Sequence, residues 1–442
     1  VSTPILVLVI SFVILLFINV PVAFCMGIAT LLAFFVMGLP ACVAVAHNIA
    51  TGIDSFSLLA IPFFILSGLL MGHGGIARRL IDFANVLVGR FRGGLAFVNV
   101  LTCMLFGAIS GSATAAISSV GGFLIPLMNK MGYHRDFNAS VTITAATTGL
   151  LIPPSNVMIV YSLATGGAVS IAAIFMAGIL PGILMGLLLI GVSAVISIRN
   201  NYGKGVTFPW SVGVIRFLKA IPAMLLVFIV IGGILLGWFT PTEASAVAVL
   251  YSFILAAVVY REVKIRDIPK ILLQCGVTTS VVFMLIATSV AMSWVLASEN
   301  VPQNISKGLL GLTDNGMVLL LMINAILLAV GTFMDMTPAV LIFTPILLPI
   351  VEKIGNDMWG EHGDSRYALY FGIILIMNLC IGLCTPPVGT CLFLGCGIAE
   401  TTVTKVLRYI FPFFVAMVIA LLFCTFVPEI SFLIPRALDY IN

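Results

Sequence analysis

Charge is what this sequence has least of. Only 8% of its 442 residues are Asp, Glu, Lys or Arg, against 61% hydrophobic, which excludes a water-soluble globule and implies an all-α polytopic membrane protein. No Lys or Arg precedes Arg78, so the first apolar run lacks the basic segment of a secretion signal and is expected to remain as a span. The nine cysteines include no C-x-x-C and no zinc-ligand spacing, which argues against redox and metal chemistry. No G-x-x-x-x-G-K-S/T occurs, since Lys204 in Gly203-Lys204-Gly205 lacks the upstream glycine, so ATP hydrolysis within this chain is not expected. Ala108-Ile109-Ser110-Gly111 resembles a membrane serine protease loop without its leading glycine. The four histidines (His47, His73, His134, His362) fall near loops and leave Ser110 without a base, so an enzyme is not expected.

What is present is a set of apolar runs interrupted in a repeating order. Spans are expected at about 5–18, 22–39 and 56–71, then a re-entrant helical hairpin over about 95–128, a broken helix over 137–164 and a span over 171–198. The order returns at about 220–238, 244–260 and 276–297, with a hairpin over 316–351, a broken helix over 367–398 and a span near 411–426. The twelve residues before Gly107 reach only about 18 Å, short of a hydrocarbon core of about 30 Å, and then meet the small, hydroxylated stretch Gly107 to Thr114. A single span with a Gly-x-x-x-Gly packing face at Gly107 and Gly111 is the competing reading. Each broken helix carries a Pro-Pro, at Pro153-Pro154 and Pro386-Pro387. Backbone groups freed at membrane depth persist only where they are buried in protein or line a cavity.

The two halves align in register: Pro21 with Pro241, 76–99 with 301–324 without a gap, Gly107 with Gly331, Pro126 with Pro349 and Pro181 with Pro412. The expected organisation is a first repeat at 1–199, a cytoplasmic linker at 200–219, a second repeat at 220–428 and a C-terminal tail at 429–442. Five crossings per repeat, an odd number, place the second repeat upside down relative to the first, an inverted-repeat arrangement. With both termini outside, sixteen of the twenty bases fall on one face, in segments 78–92, 130–135, 199–219, 261–270 and 405–408, which makes that face cytoplasmic. Amphipathic stretches at Ile76, Leu80, Phe83, Leu87 and at Val301, Ile305, Leu309, Leu312 are expected in the interface plane, as arms linking a moving unit to a frame.

Two hairpin tips and two breaks bring helix N-termini, suited to an anion, and helix C-termini, suited to a hard cation such as sodium, to one level. The side chains available there are Ser110, Ser112 and Thr114, Ser155 and Asn156, Asp335 and Thr337, and Thr385 and Thr390. Hydroxyls in such positions also cap helices, so both roles stay open for each of them. Asp335 differs: no Lys or Arg occurs in any of the four interrupted segments, and a carboxylate at membrane depth without a basic neighbour calls for a cation. Glu243, near a span end, is expected as a solvated N-terminal carboxylate.

The motifs Gly107-Ala-Ile-Ser-Gly-Ser, Leu151-Ile-Pro-Pro-Ser155, Pro181-Gly182, Phe239-Thr-Pro-Thr-Glu243, Gly331-Thr-Phe-Met-Asp335 and Thr385-Pro-Pro together resemble the large membrane subunit of tripartite ATP-independent periplasmic (TRAP) transporters. The resemblance covers nearly the whole chain. It implies a sodium-driven, elevator-type importer in a bacterial inner membrane, partnered by a small four-helix membrane subunit and a periplasmic substrate-binding protein, with no cofactor and no nucleic acid. It also implies an organic acid substrate, of the C4-dicarboxylate or sialic acid class. Carried onto this chain, sodium sites would involve Gly107, Ser110, Ser112 and Gly149 on one side and Gly331, Asp335, Thr337, Gly382 and Thr385 on the other. The solute would meet Ser112, Thr114, Ser155, Asn156, Asp335 and Thr390. A stand-alone antiporter or symporter of the same inverted-repeat type is the alternative.

Overall fold

The computed structural model describes residues 2–18, 20–38, 41–203, 210–313, 315–360 and 366–441. Residues 204–209 of the expected linker lie outside the described residues. The first half runs α1 (Thr3–Phe17), α2 (Val22–Val36), α3 (Ala41–Ile53), a 3-10 turn (Phe56–Leu59) leading into α4 (Ala60–His73), and α5 (Ile76–Val88). Then come α6 (Gly94–Ser110), α7 (Ala113–Ala116), a π-helical turn (Ile117–Gly121), α8 (Gly122–Lys130), α9 (Arg135–Thr148), α10 (Asn156–Ala164) and α11 (Ile171–Arg199). The second half runs α12 (Trp210–Leu235), α13 (Pro241–Phe253) with a π-helical turn (Ile254–Val259), a 3-10 turn (Ile265–Asp267), α14 (Ile268–Ser298) and α15 (Val301–Leu310). It continues with α16 (Gly316–Phe333), α17 (Met336–Trp359), α18 (Arg366–Gly382), α19 (Thr390–Ile398), α20 (Val403–Phe426) and α21 (Glu429–Ala437). No strand occurs among the described residues, and eight helical stretches in them are long and apolar enough to cross a membrane.

Two groups of helices can be followed through the packing, joined where α5 and α4 lie on α6 and α14 lies on α17. In one, a frame, α1 lies on α2, α14 on α2 and α3, α4 on α13, and α12 on α5 and α13. In the other, a core, α6 lies on α9, α16 and α17 on α18, and α20 on α9 and α11. At the centre of the core, α9 from Asp136 to Thr148 and α18 along its whole length are buried. α9 is polar for so buried a helix, and it satisfies its hydroxyls internally: Ser140 donates to the Asp136 carbonyl (2.7 Å), Thr142 to Asn138 (2.9 Å), Thr144 to Ser140 (2.8 Å) and Thr148 to Ala145 (2.6 Å). Back-bonding of this kind removes the cost of burying an unpaired hydroxyl.

Matching amides pin each hairpin to its broken helix. Asn99 on α6 donates to Thr142 Oγ1 on α9 (2.7 Å). Asn378 on α18 donates to Asn324 Oδ1 on α16 (2.7 Å), and Asn324 donates in turn to Thr425 Oγ1 (3.0 Å).

Three expectations change. The segment 41–53, not expected as an element, forms α3, a thirteen-residue helix; its small, weakly apolar residues give no strong hydropathy signal. The first arm of the first hairpin runs seventeen residues, Gly94 to Ser110, or about 26 Å. It therefore passes through Gly107 rather than stopping there, and ends where Gly111 turns at φ +61°. The second arm of the second hairpin extends to Trp359, so Glu352 sits on a helix. Glu243 forms a capping box, its Oε2 accepting from the Thr240 amide (2.8 Å) while Thr240 Oγ1 accepts from the Glu243 amide (3.3 Å).

Candidate functional site

Both hairpins meet their breaks through bare backbone. A Cβ built on Gly107 of α6 would lie 2.6 Å from the Gly149 Cα at the end of α9, and one on Gly382 at the end of α18 would lie 2.4 Å from the Gly331 carbonyl carbon on α16. A Cβ at Gly107, Gly149 or Gly382 would stand under 3.0 Å from backbone atoms, and one at Gly331 would stand 3.2 Å from the Gly382 Cα, tight rather than excluded. The second junction is tied further: the Val388 amide, just after Pro386-Pro387, donates to the Thr332 carbonyl (3.1 Å). At the first, the Gly111 turn packs on Asn156, whose Nδ2 is 3.1 Å from where a Gly111 Cβ would be. The tip also touches the frame, because Gly68 of α4 lets the Ser110 carbonyl approach to 2.6 Å from its Cβ position.

These junctions open into one cavity of about 740 Å³, within the range of small-molecule sites. Its core wall is Ser110, Gly111, Ser112, Thr114, Asn156, Asp335 and Thr337; its frame wall comes from α4 and α14. Among the described residues no Lys or Arg lines it and Asp335 is the only carboxylate that does. Asp335, exposed to the cavity, N-caps α17, its Oδ1 accepting from the Met336 amide (2.9 Å). Ser112 N-caps α7, its Oγ accepting from the Ala115 amide (3.3 Å) and lying 3.0 Å from Thr114 Oγ1. The N-termini of α7, α10 and α17 therefore all face the same space.

Not every expected residue reaches it. Thr385 and Thr390 do not line the cavity; Thr385 donates its hydroxyl to the Ile381 carbonyl (2.7 Å), and the N-terminus of α19 stands apart from the other three. Ser155 is buried, at 1% exposure, and its Oγ has no hydrogen-bond partner among the described residues. Gly107, Gly149, Gly331 and Gly382 shape the junctions without lining the cavity. The sequence reasoning missed the frame residues Gln274, Thr278 and His73 and the hairpin residues Ser118 and Ser119. A lone glutamine in an apolar span was the available signal for the first of these.

Residues 9–430 match the family described as "Tripartite ATP-independent periplasmic transporter, DctM component". The chain belongs to the DctM family. Among its relatives, the uncharacterized protein YgiK of Salmonella typhimurium is 46% identical over 434 residues, 98% of this chain and 97% of the relative. The C4-dicarboxylate TRAP transporter large permease protein DctM of Pseudomonas aeruginosa is 40% identical over 387 residues, 87% of each chain. In fold, the chain is similar to the Alcanivorax borkumensis YdaH transporter, with a TM-score of 0.62 over 90% of this chain and 87% of that one at 12% identity.

As a DctM component, this chain is a TRAP large permease, a transporter subunit rather than an enzyme. Among its described residues no cluster of three or more His, Cys, Asp or Glu could hold a metal ion. What the site offers a cation is scattered oxygen, the Asp335 carboxylate, hydroxyls and helix-end carbonyls, a ligand set for a hard, weakly held ion.

Proposed function

We propose that this permease imports an organic acid anion of the C4-dicarboxylate or sialic acid class, driven by sodium, by an elevator movement of the core against the frame. The observation that carries the reading is the convergence of both hairpin tips and the first break on a single cavity whose only carboxylate is Asp335. Three helix N-termini favour an anionic solute there. Sodium would be held where tip meets break, by Gly107, Ser110, Ser112 and Gly149 at the first junction and by Gly331, Asp335, Thr337, Gly382 and Thr385 at the second. The unpartnered Ser155 hydroxyl supports this fit, as do glycine approaches that admit no Cβ. The solute would lie between them, against Ser112, Thr114, Asn156 and Asp335, the expected contacts that line the cavity.

A second cavity, of about 810 Å³, lies between the same two groups of helices at their other ends. α14 contributes Gln274 to Leu285 to the first cavity and Ile286 to Ser293 to the second; α10 contributes Asn156 to one and Ala164 to the other. Paired clefts of this kind suit alternating access. The first cavity reaches His73 at the end of α4 and Gln274 near the start of α14, the helix ends that adjoin Arg78, Arg79, Lys264, Arg266 and Lys270 in the sequence, bases of the face expected to be cytoplasmic. In this reading the two halves are inverted repeats, 1–199 and 220–428, joined by 200–219 and followed by a tail at 429–442. Both termini are periplasmic, and the membrane is the bacterial inner membrane. The partners are a small four-helix membrane subunit and a periplasmic binding protein that delivers the solute.

The test is uptake of labelled succinate and sialic acid into proteoliposomes containing the permease, with small subunit and binding protein added. Uptake that needs both partners and an inward sodium gradient is expected. Uptake indifferent to sodium defeats the coupling, and uptake without the binding protein points instead to a stand-alone symporter.

A further inference from the structure

The cavity is polar at two levels, and the reading above uses only one. Beyond the tips, along the frame wall, α14 runs from Leu285 out to Gln274, eleven residues or about 16 Å. Most of that wall is apolar: Ile61, Ile65 and Leu69 on α4, and Val277, Val281 and Val282 on α14. At the mouth, polarity returns with Gln274 and Thr278 on one side and Ser118 and Ser119 on the other.

Which of these groups can still donate is fixed by their bonds. Thr278 Oγ1 donates to the Gln274 carbonyl (2.9 Å) and Ser118 Oγ to the Thr114 carbonyl (2.9 Å). His73, also at this end, places Nδ1 2.9 Å from the Leu69 carbonyl; a carbonyl only accepts, so that nitrogen donates to its own helix. The Gln274 amide and the Ser119 hydroxyl make no side-chain hydrogen bond among the described residues. Ser119 sits in the π-helical turn Ile117–Gly121, the kind of local widening that re-aims a side chain within a helix. Gly72 opposite leaves Ser119 Oγ 4.0 Å from its Cβ position.

We propose that Gln274 of the frame and Ser119 of the hairpin form a second subsite, at the base-rich mouth of the cavity, that receives a carboxylate of the solute on its way out. Both donors are neutral. A fixed cation there would hold the anion, whereas conduction through successive sites needs each one weak enough to leave. The subsite rests on the reading that this cavity carries an organic anion.

Transport in oriented proteoliposomes, with half-saturation for the solute measured separately from each face, tests it. Gln274→Leu is expected to raise half-saturation from the base-rich face about tenfold, the scale of one hydrogen bond to a charged group. From the opposite face, and for sodium, values stay within twofold. Ser119→Ala shifts the same face by less, and Gln274→Asn falls between wild type and Gln274→Leu. Equal shifts on both faces, or no shift on either, overturn the subsite while leaving wild-type organic acid transport in place. Wild-type protein that moves no organic anion overturns the transport reading itself, and the subsite falls with it.

Discussion

Replacing Gly149 with alanine isolates the contact on which the first of the proposed sodium sites depends. The added Cβ would stand 2.4 Å from the Gly107 Cα, 2.8 Å from its carbonyl carbon and 3.2 Å from the Ala108 nitrogen. All three are backbone atoms, so no side chain can swing away, and α6 must part from α9 by about 1 Å to restore ordinary contact. Overpacking of this kind costs about 1–3 kcal/mol. If the parted arrangement cannot close on the ion, the cost falls on the sodium-bound state and corresponds to about a 5–150-fold loss of affinity. Gly191→Ala on α11 is the internal control, since nothing lies within 4 Å of its Cβ position and alanine in a helix is favoured over glycine by about 1 kcal/mol. Sodium titration of uptake and thermal unfolding in detergent are the two readouts. Gly149→Ala should raise the sodium half-saturation and lower the melting temperature, whereas Gly191→Ala leaves the first unchanged and holds or raises the second. A Gly149→Ala protein matching the control in both refutes the reasoning.

Asp335→Asn keeps the shape and the cap on α17 but removes the only carboxylate lining the cavity; sodium-driven uptake should collapse while the melting temperature holds, and retained coupling would place the ion elsewhere. Asn324→Ala strips the acceptor from Asn378 and the donor from Thr425 at a buried site, so a stability loss of about 1–3 kcal/mol per orphaned group is expected, read as a lowered unfolding midpoint. Gly68→Ala puts a Cβ 2.6 Å from the Ser110 carbonyl, between frame and hairpin tip, and should slow transport more than it weakens sodium binding; an unaffected rate shows that the tip does not pass that point.

Much of the site was legible because breaks in apolar runs are hard to hide. Pro153-Pro154 and Pro386-Pro387, and the small residues from Gly107 to Thr114, mark interruptions that no continuous span would carry, and the structure has helix ends at each of them. The lone acid was legible for the same reason: in four segments without a base, Asp335 has nothing local to pair with. What the sequence could not show was the other wall. Gln274, Thr278 and His73 face the cavity only because α4 and α14 of the frame lie against the hairpin tip, and long-range packing leaves no mark on local periodicity. The hydroxyls divided along a line equally invisible in sequence. Ser112 caps α7 and Thr385, just past the end of α18, bonds back to the Ile381 carbonyl, while Ser155, at the start of α10, does neither.

One contact ties these observations together. Cys380 Sγ on α18 donates to the Thr147 carbonyl on α9 at 3.4 Å, across a separation of 233 residues. The two Pro-Pro breaks are also 233 positions apart, so Thr147 and Cys380 occupy equivalent places ahead of their breaks. For residues related by a repeat to touch each other, the relation between the halves must carry one onto the other across that point, as a two-fold axis does and a translation along the chain does not. Such an axis would run between α9 and α18, both buried along nearly their whole length, with one tip-and-break junction on each side. The asymmetry that remains is in the ligands: the first tip offers serine and threonine where the second offers Asp335. If the two junctions are the proposed sodium sites, their unequal charge would make them bind with unequal strength, and the Asp335 junction should fill first as sodium rises. Sodium titration of Gly149→Ala and Gly382→Ala separates them, because Gly382→Ala wedges the Asp335 junction, with its Cβ 2.4 Å from the Gly331 carbonyl carbon, and should displace the tighter of two sodium transitions. Displacement of the same transition by both variants would mean that the junctions act as one site.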